Sequence, residues 1–177
     1  MTARAITIRL AEPRDAQPIA LMSRDLIESG LGWKYDAPRV LRAIRDRETV
    51  AVVACEGKSG RGTINGFAIM EFGDERAHLV LLAVRAPHRR AGIGKRLLEW
   101  LLECARTAGI SSVHLELRAA NEAARRFYRA MGFYETVLVP GYYRSGEGRK
   151  EGALRMLRVL RVPGPLPAAW QPPRIEK

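Results

Sequence analysis

Arg89-Arg-Ala-Gly-Ile-Gly-Lys-Arg96 is the stretch of this chain that points most directly to a chemical role. Gly92 and Gly94 stand where the apolar run His78-Leu-Val-Leu-Leu-Ala-Val84 has ended and leucines at 97, 98, 101 and 102 begin to recur on one helix face. The first turn of a helix has unpaired N–H groups and the positive end of the macrodipole, so residues without side chains there let an anion reach bare backbone. Arg89, Arg90, Lys95 and Arg96 crowd the same turn. The pattern reads as a phosphate or pyrophosphate cradle. A P-loop is excluded, because no hydroxyl residue follows Lys95 and no upstream glycine lies at the required distance. A dinucleotide fingerprint is excluded, because Leu97 occupies the third glycine position.

A second group of reactive side chains lies on Ser112-Val-His-Leu-Glu-Leu-Arg118. Val113, Leu115 and Leu117 share one face of this strand, while His114, Glu116 and Arg118 share the other. The strand–helix–strand unit makes it parallel to the His78–Val84 strand, near the middle of the sheet, where both faces are normally apolar. Either the strand has a solvated face or the three polar residues line a cleft, and its central place in the sheet favours the cleft.

The scaffold around these groups is legible from the N-terminus onward. Ile6–Leu10 alternates as an edge strand; Asp15 is expected to cap a helix bearing Ile19, Leu21, Met22, Leu26 and Ile27. Gly30 and Gly32 break that helix, and a second begins near Pro38 with Val40, Leu41 and Ile44 inward. Val50–Cys55 and Ile64–Phe72 form a hairpin ahead of the His78 strand. After the glycine turn and its helix, Gly109 is the stop signal, Asn121 caps a helix with Ala124, Phe127, Tyr128 and Met131 buried, and Gly132 ends it. Two closing strands are expected near Tyr134–Val139 and Ala153–Arg161, separated by a loop that starts at Pro140. Residues 1–161 read as one domain, and 162–177, rich in proline, as an extended or disordered tail in which Trp170 is a candidate for docking.

Composition sets the bounds. A chain of 177 residues fits one domain with a full core. There is no apolar run of membrane-spanning length and no signal-like start, and Cys55 and Cys104 read as reduced core thiols, so a cytoplasmic protein is expected. Three histidines without ligand spacing imply no metal site. The net charge of +11 suits a polyanionic partner or a multiply phosphorylated cofactor, and a solvated surface accounts for it equally well. No basic stripe interleaved with aromatic residues is visible, which argues against a nucleic-acid-binding module.

The glycine turn resembles the [QR]-x-x-G-x-[GA] signature of the GCN5-related N-acetyltransferases (GNAT), with Arg89, Gly92 and Gly94 on its fixed positions. The element order β-α-α-β-β-β-α-β-α-β-β is similar to that of the same fold. Leu115-Glu-Leu-Arg118, Asn121, Ala123-Ala-Arg-Arg-Phe-Tyr128, Met131-Gly-Phe133 and Gly141-Tyr-Tyr143 resemble the ribosomal-protein alanine N-acetyltransferase branch, from about Gly66 to Met156. The chain departs from that branch in the basic, glycine-rich loop from Ser145 to Gly152, at Gly152 where an acidic residue is usual, and over Ser23–Tyr35.

The resemblance implies a mixed, mostly antiparallel α/β sheet whose central parallel strands splay to admit CoA, flanked by helices. It implies acetyl-CoA as cosubstrate, with the backbone of Leu82, Ala83 and Val84 along the pantetheine arm, the turn Arg89, Arg90, Ala91, Gly92, Ile93, Gly94 and Lys95 on the pyrophosphate, and Asn121 on the cofactor arm. Glu116 takes the place of the base and Tyr128 that of the acid. Partial burial should raise the pKa of Glu116 into a useful range. Trp33, Tyr35, Tyr142 and Tyr143 are assigned equally to packing and to substrate contact. The implied acceptor is a protein or peptide amine, with a small amine such as a polyamine or aminoglycoside as the alternative and a catalytically silent CoA sensor as a third reading. A ribosomal partner fits the charge, a dimer is compatible with the fold, and neither membrane nor nucleic acid is expected as substrate.

Overall fold

The computed structural model describes residues 5–144, 148 and 150–161. The expected tail, with Trp170, lies outside the described residues, as does part of the Ser145–Gly152 loop. Seven strands, β1 (Ile6–Leu10), β2 (Thr49–Glu56), β3 (Ile64–Phe72), β4 (Arg76–Val84), β5 (Ser112–Arg118), β6 (Tyr134–Arg144) and β7 (Lys150–Val159), form one sheet in the order β1-β2-β3-β4-β5-β7-β6. Among the described residues only β4 and β5 are parallel, because the helix between them returns the chain to the same end of the sheet. The helices are α1 (Ala16–Leu26), α2 (Ala37–Arg45), α3 (Ile93–Thr107) and α4 (Glu122–Ala130).

Each face of the sheet has its own core. Leu97, Leu98, Leu101 and Leu102 of α3 pack on Val113, Leu115, Leu117 and Met156, joined by Tyr128 of α4 and by Phe133. Ile19 and Met22 of α1 and Val40 of α2 pack on Val53, Phe67 and Ile69 across the sheet. The leucine spacing in α3 thus produced the buried stripe it predicted.

One irregularity in β4 shapes everything downstream. Ile69 of β3 faces Leu81 while Met70 faces Leu79, so Val80 is an extra residue, a bulge. Strict alternation would send positions 77, 79, 81 and 83 to one face. Instead Ala77 and Leu79 join the α3 core, whereas Leu81 and Ala83 join the α1–α2 core. Beside the bulge the sheet opens: β4 and β5 pair only from Arg76–His78 to Ser112–His114. Beyond that point β4 pairs with β3 alone and β5 with β7 alone.

Two local expectations are corrected. The Asp15 side chain makes no cap on α1; its carboxylate takes Arg9 at 2.6 and 3.0 Å and the Glu12 N–H at 2.7 Å, closing the short helical turn at Pro13–Asp15 instead. Burial pushes this carboxyl up, but Arg9 and the Glu12 N–H outweigh burial and hold it below its ordinary value. The segment after Val139 is not a loop: β6 runs on to Arg144 past a bulge that loops out Pro140, Gly141 and Tyr142. Gly141 sits there at φ +65°, a conformation that favours glycine. By contrast Asn121 caps α4, its Oδ1 accepting the Ala124 N–H at 3.1 Å, and Gly109 follows α3 at φ +78°, both as expected.

Candidate active site

The glycine turn opens α3. Gly92 is the N-cap residue, at φ +77°, and a Cβ placed on it would meet no atom within 4 Å. Its carbonyl receives the first bond of the helix, from Arg96, so the N–H groups of Ile93, Gly94 and Lys95 point out of the helix end. The turn is tied down on three sides. Ile93 is buried in the α3 core, Arg89 Nε donates to the Val84 carbonyl at 3.0 Å, and Arg96 Nη2 donates to the Ile6 carbonyl at 3.0 Å. Arg90, Ala91 and Lys95 are exposed around it. Gly94 differs from Gly92: a Cβ there would lie 3.6 Å from the Phe127 ring and 3.7 Å from Val84, so its bare side faces packed carbon. Leu82, Ala83 and Val84 run along the opened edge of β4, where β5 no longer pairs with them.

At the apex of the opening, His78 of β4 and His114 of β5 are direct partners in the parallel register. Their rings stack at 4.5 Å and within 3° of parallel. Glu116, two residues further along β5 on the same face, is 8% exposed at its side chain. Its Oε2 lies 2.7 Å from His78 Nε2, and its Oε1 accepts from Arg155 Nε at 2.8 Å. Arg155 is the register partner of Glu116 on β7, so the ladder itself delivers the cation.

These contacts reverse the expectation that burial would raise the Glu116 pKa. The hydrogen bond from His78, reinforced by Arg155, outweighs desolvation and brings the carboxyl down to about 2. Glu116 is therefore an anion at neutral pH. An ionised carboxylate has no proton to give, so His78 Nε2–H is the donor in this pair; in a neutral ring of that tautomer the lone pair is on Nδ1. Burial, and then the neighbouring His78, lower the pKa of His114 and hold its imidazole neutral.

Tyr128 lies on α4 with its ring edge-on to Phe127 and Phe133, at 5.1 and 5.7 Å. Burial, and the neighbouring Tyr143, push its phenol above the ordinary tyrosine value, so it keeps its proton. That suits a donor.

Residues 19–133 match the family model described as Acetyltransferase (GNAT) family. The chain belongs to the GNAT family. Among known members, the [Ribosomal protein bS18]-alanine N-acetyltransferase of Escherichia coli K12 is 33% identical over 98 residues, covering 55% of this chain and 66% of that protein, just under two thirds of its length. The crystal structure of Ard1 from Thermoplasma volcanium superposes with a TM-score of 0.74 at 27% identity, covering 89% of this chain and 99% of the other. The ribosomal-protein-S18-alanine N-acetyltransferase structure from Escherichia coli gives 0.74 at 25% identity, covering 90% and 97%. The GNAT sheet, with one parallel pair that separates beyond His78, is the architecture anticipated from the sequence.

In this GNAT chain the four aromatic candidates divide. Tyr143 is brought toward the apex: desolvation, then Tyr142 and Glu116, push its phenol up to about 12. Tyr142 packs edge-on to it at 4.9 Å and is exposed. Trp33 and Tyr35 belong to the α1–α2 loop, where Trp33 Nε1 donates to the Tyr35 carbonyl and Arg39 covers the Tyr35 ring at 4.5 Å. Buried Glu28 gathers that loop by accepting from Ser23 Oγ, Lys34 N–H and Tyr35 N–H. Arg118 Nη2 then fastens it to β5 through the Ser29 carbonyl at 2.6 Å. Sequence reading placed His114 on the same polar face as Glu116 but gave it no partner, and it missed His78 and Arg155. The two histidines were legible in principle, because each stands near the start of a strand already assigned as parallel to the other.

Proposed function

We propose that this GNAT protein transfers the acetyl group of acetyl-CoA to the N-terminal amine of a protein or peptide, with Glu116 and His78 acting as a pair to take the amine's proton and Tyr128 donating a hydrogen bond to the leaving thiolate. The observation that carries the reading is the Glu116–His78 hydrogen bond at the apex where β4 and β5 separate.

The residues present fit acetyl-CoA. Gly92, open to solvent and followed by the outward N–H groups of Ile93, Gly94 and Lys95, suits a pyrophosphate, with Arg89, Arg90 and Ala91 completing the turn. The unpaired edge of Leu82, Ala83 and Val84 suits an extended amide-bearing arm that hydrogen-bonds like an added strand. Asn121 uses its carbonyl oxygen as a helix cap, which leaves its amide N–H groups for the same arm. When bound, acetyl-CoA provides an activated thioester.

The chain's own residues handle the proton. An α-amino group has a pKa near 7.7–8.0 and attacks only as the free base. Direct transfer to a carboxylate held this far below the amine's own pKa is strongly uphill, so Glu116 alone is a poor acceptor. Its negative charge instead orients His78 and stabilises the imidazolium that forms when Nδ1 takes the proton. Buried Tyr128 keeps its own proton and stabilises the departing thiolate by donating a hydrogen bond to it, the thiolate being a weaker base than the Tyr128 phenolate.

Similarity to proteins named for alanine N-acetylation supports a peptide acceptor, as does the framing of the apex by the Arg118-anchored α1–α2 loop and by Tyr143. The test is acetyl transfer to a panel of peptide N-termini, lysine side chains and polyamines. Fastest turnover on a peptide N-terminus supports the reading, and fastest turnover on a polyamine replaces it with the small-amine reading. Tyr128→Phe should lower kcat by about 10²-fold with little change in the KM for acetyl-CoA, because the lost hydrogen bond is needed only as the thiolate departs. Near-normal kcat would reduce Tyr128 to a packing role beside Phe127.

A further inference from the structure

The expectation of no metal site rested on histidines far apart in sequence, yet the parallel register brings two of them together beside a carboxylate. One ligand atom from each of His78, His114 and Glu116 lies within 4.8 Å of the other two. We propose that this cluster binds a borderline divalent cation of the Zn2+ type, and that the bound ion reversibly silences acetyl transfer. The silencing rests on the roles given above to Glu116 and His78; the binding does not.

The donor set is the first reason. Two imidazoles and one carboxylate, with a fourth position left to solvent, are a common zinc arrangement, and imidazole selects Zn2+, Cu2+ and Ni2+ over Mg2+ and Ca2+. Placement is the second. His78 and His114 are fixed opposite each other by the β4–β5 ladder, and Glu116 follows His114 on the same face of β5. Zinc holds such ligands at about 2.0–2.2 Å, which puts ligand atoms about 3.3 Å apart in a tetrahedron. Closing on an ion turns the two imidazoles out of their parallel stack so that both lone pairs converge on Glu116 Oε2, a side-chain rotation open to the half-buried His78 and His114, while the Glu116 side chain, 8% exposed, stays where Arg155 holds it.

Arg155 decides the character of the site. It holds Glu116 Oε1 and leaves Oε2 as the metal-facing oxygen, which pre-orients the carboxylate. Its positive charge also opposes a cation, so the ion is held less tightly than in a closed structural site and a chelator removes it. An ion bound to Oε2 and to His78 replaces the hydrogen bond between them. If Nε2 is the ligand atom its proton leaves to solvent, and if Nδ1 is the ligand atom the lone pair meant for the amine proton is occupied. Either way the proton-accepting pair is lost.

The experiment uses the full chain without a histidine tag. Equilibrium dialysis against Zn2+ should find one equivalent bound and none of Mg2+. His114→Phe keeps an aromatic ring stacked on His78 but removes a ligand, and should weaken zinc binding about tenfold or more, as should His78→Phe. Wild-type transfer should be inhibited by Zn2+ and restored by EDTA, while the ratio of rates with and without Zn2+ should approach one in His114→Phe. Unchanged zinc affinity in both variants, or equal uptake of Mg2+, would overturn the site. Should either variant fail to fold, Co2+ added to the wild-type protein reports the site directly: intense visible bands of a four-coordinate ion support it, and the weak spectrum of a six-coordinate ion overturns it. Zinc held at the cluster with transfer unimpaired would overturn the silencing, and with it the proton roles of Glu116 and His78, while the metal site would stand.

Discussion

Gly92→Glu is expected to weaken CoA binding by at least about 100-fold, close to 3 kcal/mol, while leaving a folded protein. Three effects act together at this position. The residue sits at φ +77°, where a side chain is strained by about 1–2 kcal/mol. The side chain projects into the open space in front of the helix end, where a Cβ meets no neighbour within 4 Å. Its carboxylate also competes with an anion for the N–H groups of Ile93, Gly94 and Lys95. Gly92→Ala separates these terms, since it keeps the strain but adds neither reach nor charge. Calorimetric titration with CoA should therefore rank wild type, then Gly92→Ala, then Gly92→Glu, the last falling much further than the second. Equal losses in both variants would mean that backbone strain, not anion exclusion, controls the turn. Full affinity in a folded Gly92→Glu protein would remove the cradle altogether.

Glu116→Gln should lower kcat/KM by about 10²–10⁴-fold at neutral pH, with the deficit narrowing as pH rises. The single amide oxygen can still accept from His78 Nε2–H, but the amide N–H groups then face Arg155, so the Arg155 bond goes together with the negative charge that stabilises an imidazolium. Above the pKa of the acceptor amine, near 7.7–8.0, more of the nucleophile is already the free base and less help is needed. The sign of the Glu116 shift matters to the wild-type profile too. Its pKa is depressed to about 2, so the carboxylate keeps its charge down to that pH, and the stability contributed by its ion pair is present above the ordinary carboxylate range and lost only as pH falls toward 2. Activity changes between pH 5 and 9 therefore belong to other groups. A deficit that is constant across that range would assign Glu116 to holding β7 through Arg155 and not to proton transfer.

Much of this architecture could be read from local patterns, because each was enforced by a single element. The α3 leucines, the Asn121 cap and the glycine turn all depend on residues within a few positions of one another. The mixed faces of β5 marked a polar group at the middle of the sheet: His114, Glu116 and Arg118 are half-buried, and the first two meet His78 of β4. Features set by register were harder to see. The direction of the Glu116 shift depends on His78 and Arg155, which reach it from β4 and β7, and no local pattern states that they face it. Asp15 looked like a cap because an amphipathic helix begins directly after it; Arg9, a β1 residue before it, claims the carboxylate instead. The strand past Pro140 was hidden by the bulge that makes Pro140 and Gly141 tolerable there.

The extra residue at Val80 also divides the molecule into halves that can change independently. Before it, β4 contributes to the layer built on α3, which carries the glycine turn; after it, Leu81 and Ala83 contribute to the layer built on α1 and α2. Substitutions that resculpt the α1–α2 layer thus load on a different set of buried neighbours from those that hold the anion site.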